Sequence, residues 1–401
     1  MRLHPAVIVV TVRLSHSVKE DAAFNTTIKN LESDTRLTRR RFLKKLPGSF
    51  TAAWAALLLP RAMWAAGAAA AEPTALHYRP LNGDSLREMA QRKMHHGPQR
   101  FINPMGAPRR KRFWQLLSWK LFHNNAYADF LDDQPLSPVT VDWESIKAHR
   151  GVSVTFIKHS TLLIKDLDRF LLIDPVFNDI FPFIKDYTPL AFDLQEMPRP
   201  DHVLITHGHY DHLDKPSLTA LNPGTHVITP LGYDRVFNAA GMNRRTQLDW
   251  YERYGDGKRE ITLVPANHWT MRNPITGPNR SLWGGYLIKT AGGPVIYVSG
   301  DSAYFDGFEQ LAQDYDIDLA IFNMGAYAPR WFMAPSHMDP AETVQAFREI
   351  KARKLMIAHW GTFQLGDEPV HFPPRDLENA LKKVELSTQW VHLDHGHSYT
   401  F

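Results

Sequence analysis

The chain contains no cysteine among its 401 residues. It therefore forms no disulfide bond, and it offers no thiolate to bind a metal ion. Any metal site must use imidazole and carboxylate groups, which are supplied by 20 histidines and 42 acidic residues. The absence of cysteine suits an oxidising compartment but is also compatible with a reducing one.

The N-terminal region lacks an apolar run long enough for a membrane anchor. A transmembrane helix needs about 20 apolar residues, whereas the apolar stretch at residues 50–59 is shorter and is followed by Arg61. Residues 38–44, Thr-Arg-Arg-Arg-Phe-Leu-Lys, match the twin-arginine export signal instead, and cleavage is expected after Ala68 or Ala71. This pattern predicts export to the periplasm or cell envelope. The alternative interpretation of residues 38–44 is a basic patch that arose by chance. Residues 1–37 have no folded pattern, which also allows a start codon further along the chain.

The excess of positive charge belongs to this leader. Residues 1–71 contain 11 Lys/Arg and 4 Asp/Glu, a net charge of +7 against +4 for the whole chain, so the remainder carries about −3. The basic isoelectric point is therefore no sign of nucleic-acid binding, and the sequence has no zinc-finger or RNA-binding motif. We expect no nucleic-acid partner.

The most informative segment is residues 207–212, His-Gly-His-Tyr-Asp-His, which directly follows an apolar, strand-like run. In an extended segment residues i and i+2 point to the same side, so His207 and His209 can bind one ion together. Asp211 and His212 then remain for a second ion. Asp214 precedes Pro216 and predicts a helix cap, which would hold the loop in place.

Three later ligand-type residues each follow a short apolar run. Strand ends in layered α/β proteins present functional groups at one edge, so these residues can converge on the same site. The three are His268 after residues 261–264, Asp301 after residues 295–300 and His359 after residues 355–358.

Together these motifs resemble the metallo-β-lactamase fold, and within it the branch of N-acyl-phosphatidylethanolamine-hydrolysing phospholipase D. The resemblance runs from about Gly151 to the C-terminus. The ligand motifs identify the superfamily, whereas residues 325–333, Gly-Ala-Tyr-Ala-Pro-Arg-Trp-Phe-Met, are typical of this branch. The other matching blocks are residues 206–214, 248–252, 267–269, 281–284, 300–301, 337–340 and 359–363.

The resemblance implies a binuclear centre of two zinc ions. A set rich in imidazole and without thiolate favours zinc, although iron and manganese accept similar ligands. The implied ligands are His207, His209 and His268 for one ion and Asp211, His212 and His359 for the other, with Asp301 as the bridge.

The implied reaction is hydrolysis of a phosphodiester by a metal-bridging hydroxide. Its products would be phosphatidic acid and an N-acylethanolamine. We count Asp211 and Asp301 among the catalytic residues, together with His337, which is proposed as a general acid or a substrate-positioning residue because an alkoxide is a poor leaving group. The alternative role for His337 is to cap the helix that begins at Pro340.

Arg330 and Trp331 of the branch-specific block have two interpretations. One is phosphate or acyl-chain binding. The other is structural, with Arg330 paired to a buried carboxylate and Trp331 in the core, and the sequence does not decide between them.

The order of elements predicts an α/β protein, an αββα four-layer sandwich. We expect strands at residues 152–157, 161–164 and 170–173, and helices at residues 216–221, 304–313 and 340–350. The predicted organisation is an N-terminal extension with the signal peptide at residues 1–71, a wrapping extension at residues 72–150, and the catalytic domain at residues 151–401.

A phospholipid substrate predicts peripheral contact with a membrane. The basic cluster at residues 109–112 precedes an apolar helical face of Phe113, Leu116, Leu117 and Leu121, and a second apolar patch lies at residues 177–184. Both faces are equally compatible with core packing. Related enzymes form dimers, so a homodimer is included in the prediction. The alternative functions are hydrolysis of a soluble phosphodiester or lactone on the same fold, and metal binding without turnover.

Overall fold

Two β-sheets face each other across a shared apolar core. The computed structural model describes residues 77–401 apart from 107–114, 116–118, 120–123, 132–133, 183 and 314. Seven strands form the first sheet, in the spatial order β13 (Ser398–Thr400), β1 (Val152–Lys158), β2 (Thr161–Asp166), β3 (Arg169–Ile173), β4 (His202–Leu204), β5 (His226–Pro230) and β6 (Arg245–Leu248).

The second sheet has six strands. Their spatial order is β12 (Lys354–Ala358), β11 (Leu319–Asn323), β10 (Val295–Val298), β9 (Gly285–Lys289), β8 (Glu260–Val264) and β7 (Arg253–Gly255).

The described residues also form helices, several of which share apolar clusters with the sheets. They are α1 (Leu86–Gln91), α2 (Trp143–Ala148), α3 (Lys215–Thr219), α4 (Asp234–Ala239), α5 (Phe308–Ala312), α6 (Arg330–Met333), α7 (Pro340–Ile350) and α8 (Phe372–Lys382), and short 3₁₀ turns occur at Ala128–Phe130 and Ser387–Gln389.

The alternating direction of side chains along each strand places apolar residues on both faces of the sheets. Successive side chains of a strand point to opposite faces of the sheet. Leu162 and Ile164 of β2 belong to the apolar cluster that also holds the second sheet and Phe347 of α7, whereas Leu163 between them packs with Phe237 of α4 on the other face. Both sheets are thus buried on both sides, and the predicted αββα sandwich is confirmed.

The strand directions bring several chain ends to one edge. Strands β3, β4 and β5 are parallel, and β1 runs in the same direction because it is separated from β3 by the antiparallel β2. In the second sheet β10, β11 and β12 are parallel, and β8 shares their direction through the antiparallel β9. The residues after these strands therefore meet at one edge, where open α/β sheets place their functional groups.

The three predicted strands lie where the pattern placed them, and α7 has the predicted bounds. Helix α5 was predicted to begin at residue 304 but begins at Phe308. The residues before it are held outside the helix, since the Asp306 carboxylate accepts a hydrogen bond from Leu81 N at 3.2 Å. The two-proline start of α8 was not predicted.

Residues 77–106 contribute to the same core. Leu81, Leu86, Met89 and Met105 are buried in the cluster between the sheets and α7. The predicted export signal at residues 1–71, the basic cluster at residues 109–112 and all four residues named for the adjoining apolar face lie outside the described residues. In the part of the chain that the structure describes, no helix is long and apolar enough to cross a membrane.

Candidate metal centre

The loop between β4 and α3 carries four of the predicted ligands and is fixed at both ends. At its start, the backbone N–H and hydroxyl of Thr206 donate to the Asp174 carboxylate at 2.7 and 2.6 Å. At its end, Asp214 caps α3 by accepting a hydrogen bond from Ser217 N at 3.0 Å, which confirms the predicted cap. The ligands are therefore presented by a constrained backbone.

Gly208 sits between the first two ligands in a space too small for a side chain. A Cβ at this position would lie 2.8 Å from the Tyr233 ring and 2.9 Å from Oγ1 of Thr270. Its backbone N–H donates to the same Thr270 hydroxyl at 2.9 Å. This close approach is the physical reason for glycine in the motif.

Three histidines and one carboxylate form the first donor group. Nδ1 of His209 lies 2.9 Å from Nε2 of His207 and 3.3 Å from Nε2 of His268. Oδ2 of Asp301 lies 3.7 Å from the His207 nitrogen and 3.6 Å from the His268 nitrogen. The structure thus brings together the predicted ligands of the first ion.

The second donor group contains the other predicted ligands and one further residue. Oδ2 of Asp211 lies 3.3 Å from Nε2 of His359 and 3.6 Å from Nε2 of His212. Nε2 of His159 also approaches this oxygen, at 3.1 Å. The donor atoms of His159, Asp211, His212 and His359 all lie within 4.8 Å of one another.

Asp301 faces both donor groups. Its Oδ2 atom is directed to His207 and His268, while its Oδ1 atom lies 3.3 Å from Nε2 of His212 and 3.5 Å from Nε2 of His359. The amide of Asn323, at the end of β11, donates to Oδ1 at 3.0 Å and fixes the carboxylate plane. This is the placement that a bridging carboxylate requires.

The spacing of these atoms fits divalent cations. Two ligands at about 2.1 Å from one ion lie ~3.0 Å apart for an octahedral angle and ~3.4 Å apart for a tetrahedral one. The separations within the two groups, 2.9 to 3.7 Å, lie in or near this range. The seven predicted ligands can therefore hold two ions.

The two carboxylates of the centre are held in the anionic form that binds cations. Burial raises the pKa of Asp301, but the charges of His212 and His359 outweigh this effect and hold the pKa well below its ordinary value. Burial likewise opposes ionisation of Asp211, and His212 again keeps that pKa low. Burial also holds the pKa of His207 and His268 well below the ordinary value, which leaves neutral imidazoles with free lone pairs.

His337 lies at the edge of the centre. Its Nδ1 atom is 3.9 Å from Oδ2 of Asp301, and its ring centroid is 5.4 Å from that of His268. The alternative role as a helix cap is wrong, because Asp339 is the N-cap of α7 and accepts a hydrogen bond from Glu342 N at 2.9 Å. His337 thus lies at the edge of the centre and does not cap α7.

Sequence reasoning missed two residues of the centre, Asp174 and His159. Asp174 follows β3 and its Oδ2 atom accepts a hydrogen bond from Nδ1 of His212 at 2.8 Å. His159 follows β1 and is fully buried. Asp174 comes directly after the apolar run 170–173, the same signal that identified Asp301, whereas His159 follows Lys158 and had no such signal.

Comparison with known proteins agrees with this geometry. Residues 169–360 match the β-lactamase superfamily domain. A Caenorhabditis elegans protein named N-acyl-phosphatidylethanolamine-hydrolyzing phospholipase D 1 is 30% identical over 345 residues, which cover 79% of this chain and 96% of that protein. The chain belongs to this branch of the β-lactamase superfamily.

Members of the superfamily in other organisms support the assignment. The mitochondrial N-acyl-phosphatidylethanolamine-hydrolyzing phospholipase D of Saccharomyces cerevisiae is 31% identical over 221 residues, 52% of this chain and 47% of that protein. A possible metal-dependent hydrolase from Veillonella parvula superposes with a TM-score of 0.52 at 17% identity, covering 63% of this chain and 100% of that one, which establishes the fold. The chain is a metal-dependent hydrolase.

The branch-specific block, residues 325–333, packs directly behind the centre. Gly325 has no room for a side chain, since a Cβ there would lie 2.0 Å from the carbonyl oxygen of His359. The buried carboxylate of Glu368 accepts hydrogen bonds from the backbone N–H groups of Tyr327 and Ala328, both at 3.0 Å. The block thus supports the second donor group.

Arg330 has a structural role in this block. Its guanidinium donates to Glu342 Oε2 at 2.6 Å and to the carbonyl of His337 at 2.9 Å, and it lies 3.3 Å from Asp339 Oδ2. Trp331 was expected in the core under the structural interpretation. That expectation is wrong, because the residue is 43% exposed.

Aromatic residues line the rim of the centre. Tyr210, between two ligands of the loop, is 39% exposed and donates its hydroxyl to the carbonyl of Arg272 at 2.7 Å. The ring of Phe181 lies 5.1 Å from it, and Trp269 packs against His209 with 4.6 Å between ring centroids. Apolar rings thus lie next to the donor groups.

Proposed function

We propose that the chain is a binuclear zinc phosphodiesterase of phospholipase D type that hydrolyses N-acyl-phosphatidylethanolamine-like lipids to phosphatidic acid and N-acylethanolamine. The observation that carries the proposal is Asp301, whose two carboxylate oxygens face two separate donor groups. The relatives named for this activity supply the substrate class.

Each donor group has a defined task in this reaction. The ions, when bound, supply electrophilic activation of the phosphoryl group and lower the pKa of water. Asp301 holds negative charge between the two positions, Asp211 holds it at the second, and Asp174 orients the ring of His212 toward the centre. Because the donor set is imidazole-rich and contains no thiolate, zinc is the preferred metal, with iron and manganese as competitors.

His337 is placed to serve the leaving group. The departing alkoxide needs a proton or a positive partner, and His337 lies beside Asp301 while remaining partly open to solvent. Replacing it in the His337→Ala variant should lower turnover by about 100-fold while the metal content is unchanged. Unchanged turnover with intact metal content would remove His337 from the reaction.

The substrate assignment is tested by comparing two esters on one sample. The purified protein lacking residues 1–71 is assayed with N-acyl-phosphatidylethanolamine and with a soluble aryl phosphodiester, and its bound metal is counted. Two zinc ions and preferential release of phosphatidic acid are expected. Two metal ions with activity on the soluble ester alone would retain the centre but exclude the lipid assignment.

Access to a membrane-borne substrate is part of the proposal. The exposed Tyr210 with Phe181 beside it offers an apolar rim, and the sequence adds the basic cluster at residues 109–112. Charge reversal in the Arg110→Glu and Arg112→Glu variants should weaken binding to anionic vesicles. If the variants and the wild type bind the vesicles equally, the basic cluster is excluded as the membrane contact.

Export by the twin-arginine route completes the proposal. This route carries folded proteins that have already acquired their cofactors, as a two-metal enzyme requires. Replacing both arginines, in an Arg39→Lys/Arg40→Lys double variant, should leave the protein in the cytoplasm, where cell fractionation detects it. Continued appearance in the periplasm would exclude this route.

A further inference from the structure

His159 is the member of the second donor group that the proposed mechanism leaves without a role. Its side chain is fully buried. Its Nε2 atom lies 3.1 Å from Oδ2 of Asp211, closer than the Nε2 atoms of His359 at 3.3 Å and His212 at 3.6 Å. Three imidazoles thus converge on one carboxylate oxygen.

The backbone around His159 holds the ring in this position. The residue has φ of +49°, in the left-handed region that non-glycine residues seldom adopt. Its N–H donates to Oγ1 of Thr362 at 2.8 Å, and its carbonyl accepts from His359 N at 2.7 Å. An antiparallel bridge to Trp360 completes the connection. The turn between β1 and β2 is therefore joined to the end of β12, and a strained conformation at such a point is a common sign of function.

We propose that Nε2 of His159 is a further protein donor to the second metal ion, beside Asp211, His212, His359 and the bridging Asp301. The separation of 3.1 Å between His159 and Asp211 is that of two ligands of one ion. The ring centroids of His159 and His359 lie 4.2 Å apart, so both imidazoles approach the same point. This inference deepens the proposed function and rests on its two-metal centre.

A hydrogen bond from His159 to Asp211 is the competing explanation. In that case the residue would orient a ligand without touching the ion. The two roles differ in what can replace the imidazole. A glutamine amide can donate to Asp211 but is a poor ligand for zinc or cobalt, so His159→Gln separates them.

The experiment titrates metal into the full chain after chelator treatment. Zinc and cobalt affinities are measured against a chromophoric chelator for the wild type, His159→Ala and His159→Gln, and the cobalt proteins are compared by their visible absorption. His202→Ala is the matched control, because His202 is a buried histidine whose Nε2 contacts the Tyr254 hydroxyl at 3.3 Å and belongs to neither donor group.

The expected result is a loss on the order of 100-fold in the affinity for the second ion in both His159 variants, with a changed cobalt spectrum. The first ion and the control should be unaffected. Wild-type affinity in His159→Ala would overturn the inference, as would full recovery in His159→Gln. A wild type that binds only one ion would overturn the two-metal centre and this inference together, whereas two ions with unchanged variants would contradict this inference alone.

Discussion

Asp174 fixes the ring of His212 through a hydrogen bond of 2.8 Å between Nδ1 and a carboxylate oxygen. The same carboxylate accepts hydrogen bonds from the N–H and the hydroxyl of Thr206. One buried group therefore positions both the ligand loop and the ring of His212. Partners of this kind orient the ring and increase its basicity toward a metal.

Replacing this carboxylate should therefore weaken the second metal position. In the Asp174→Asn variant, metal affinity at that position is expected to fall by about 10-fold to 100-fold, since the amide no longer offers two acceptors. Competition with a chelator measures the change. Asp166→Asn is the control: Asp166 is equally buried and pairs with Arg259, away from the ligands, so its loss should lower stability without altering metal binding.

Adding one methyl group at Gly325 should disturb the centre. The Cβ of alanine would lie 2.0 Å from the His359 carbonyl, so one of the two segments must move. We expect the free energy of unfolding to fall by about 1–3 kcal/mol and the second ion to bind more weakly. Urea denaturation and metal titration measure the two effects. In Gly255→Ala, where the nearest atom is 3.3 Å away, a change within about 0.5 kcal/mol is expected, and equal effects in both variants would contradict the argument.

Glu368 should make stability depend on pH. Burial raises the pKa of Glu368 from 4.5 to about 7, so between these values the folded protein holds a proton that the unfolded chain releases. Its contribution is complete below pH 4.5 and is lost as the pH rises through 7, a change of about 3 kcal/mol. Unfolding free energies at pH 5 and pH 8 measure this change. The Glu368→Gln variant should lack it, and a variant with the wild-type slope would assign the dependence to other groups.

Arg330 should influence catalysis by holding His337. Methionine at this position keeps much of the side-chain length but removes the hydrogen bonds to Glu342 and to the His337 carbonyl. We expect kcat of Arg330→Met to fall by about 10-fold to 100-fold at constant metal content. Arg353→Met, which breaks only the exposed ion pair with Asp318, should behave like the wild type. A loss of metal in Arg330→Met would indicate a wider structural effect.

The sequence predicted the parts of this protein that depend on local pattern. Alternating apolar residues predicted the strands and Asp214 predicted a helix cap. The residues after four apolar runs included the seven candidate ligands, and the resemblance implied how they divide between two ions. Asp174 and His159 were not predicted as parts of the centre. Asp174 carried the same signal as Asp301, whereas the role of His159 arises from a contact across the molecule, with the end of β12. The start of α5 was wrong for the same reason, since its preceding residues bind the distant Leu81.

The donor groups draw on both sheets, since His207 and His212 follow β4 whereas Asp301 and His359 follow β10 and β12. An ion bound by residues of both sheets would connect the two sheets directly. It would also join residues far apart in sequence, such as Asp211 and His359, which are 148 positions apart. A ligand that binds the native but not the unfolded chain stabilises it by about 4 kcal/mol at a free concentration 1,000 times its Kd. Metal supply in the cell would then set the lifetime and protease resistance of this protein as well as its activity.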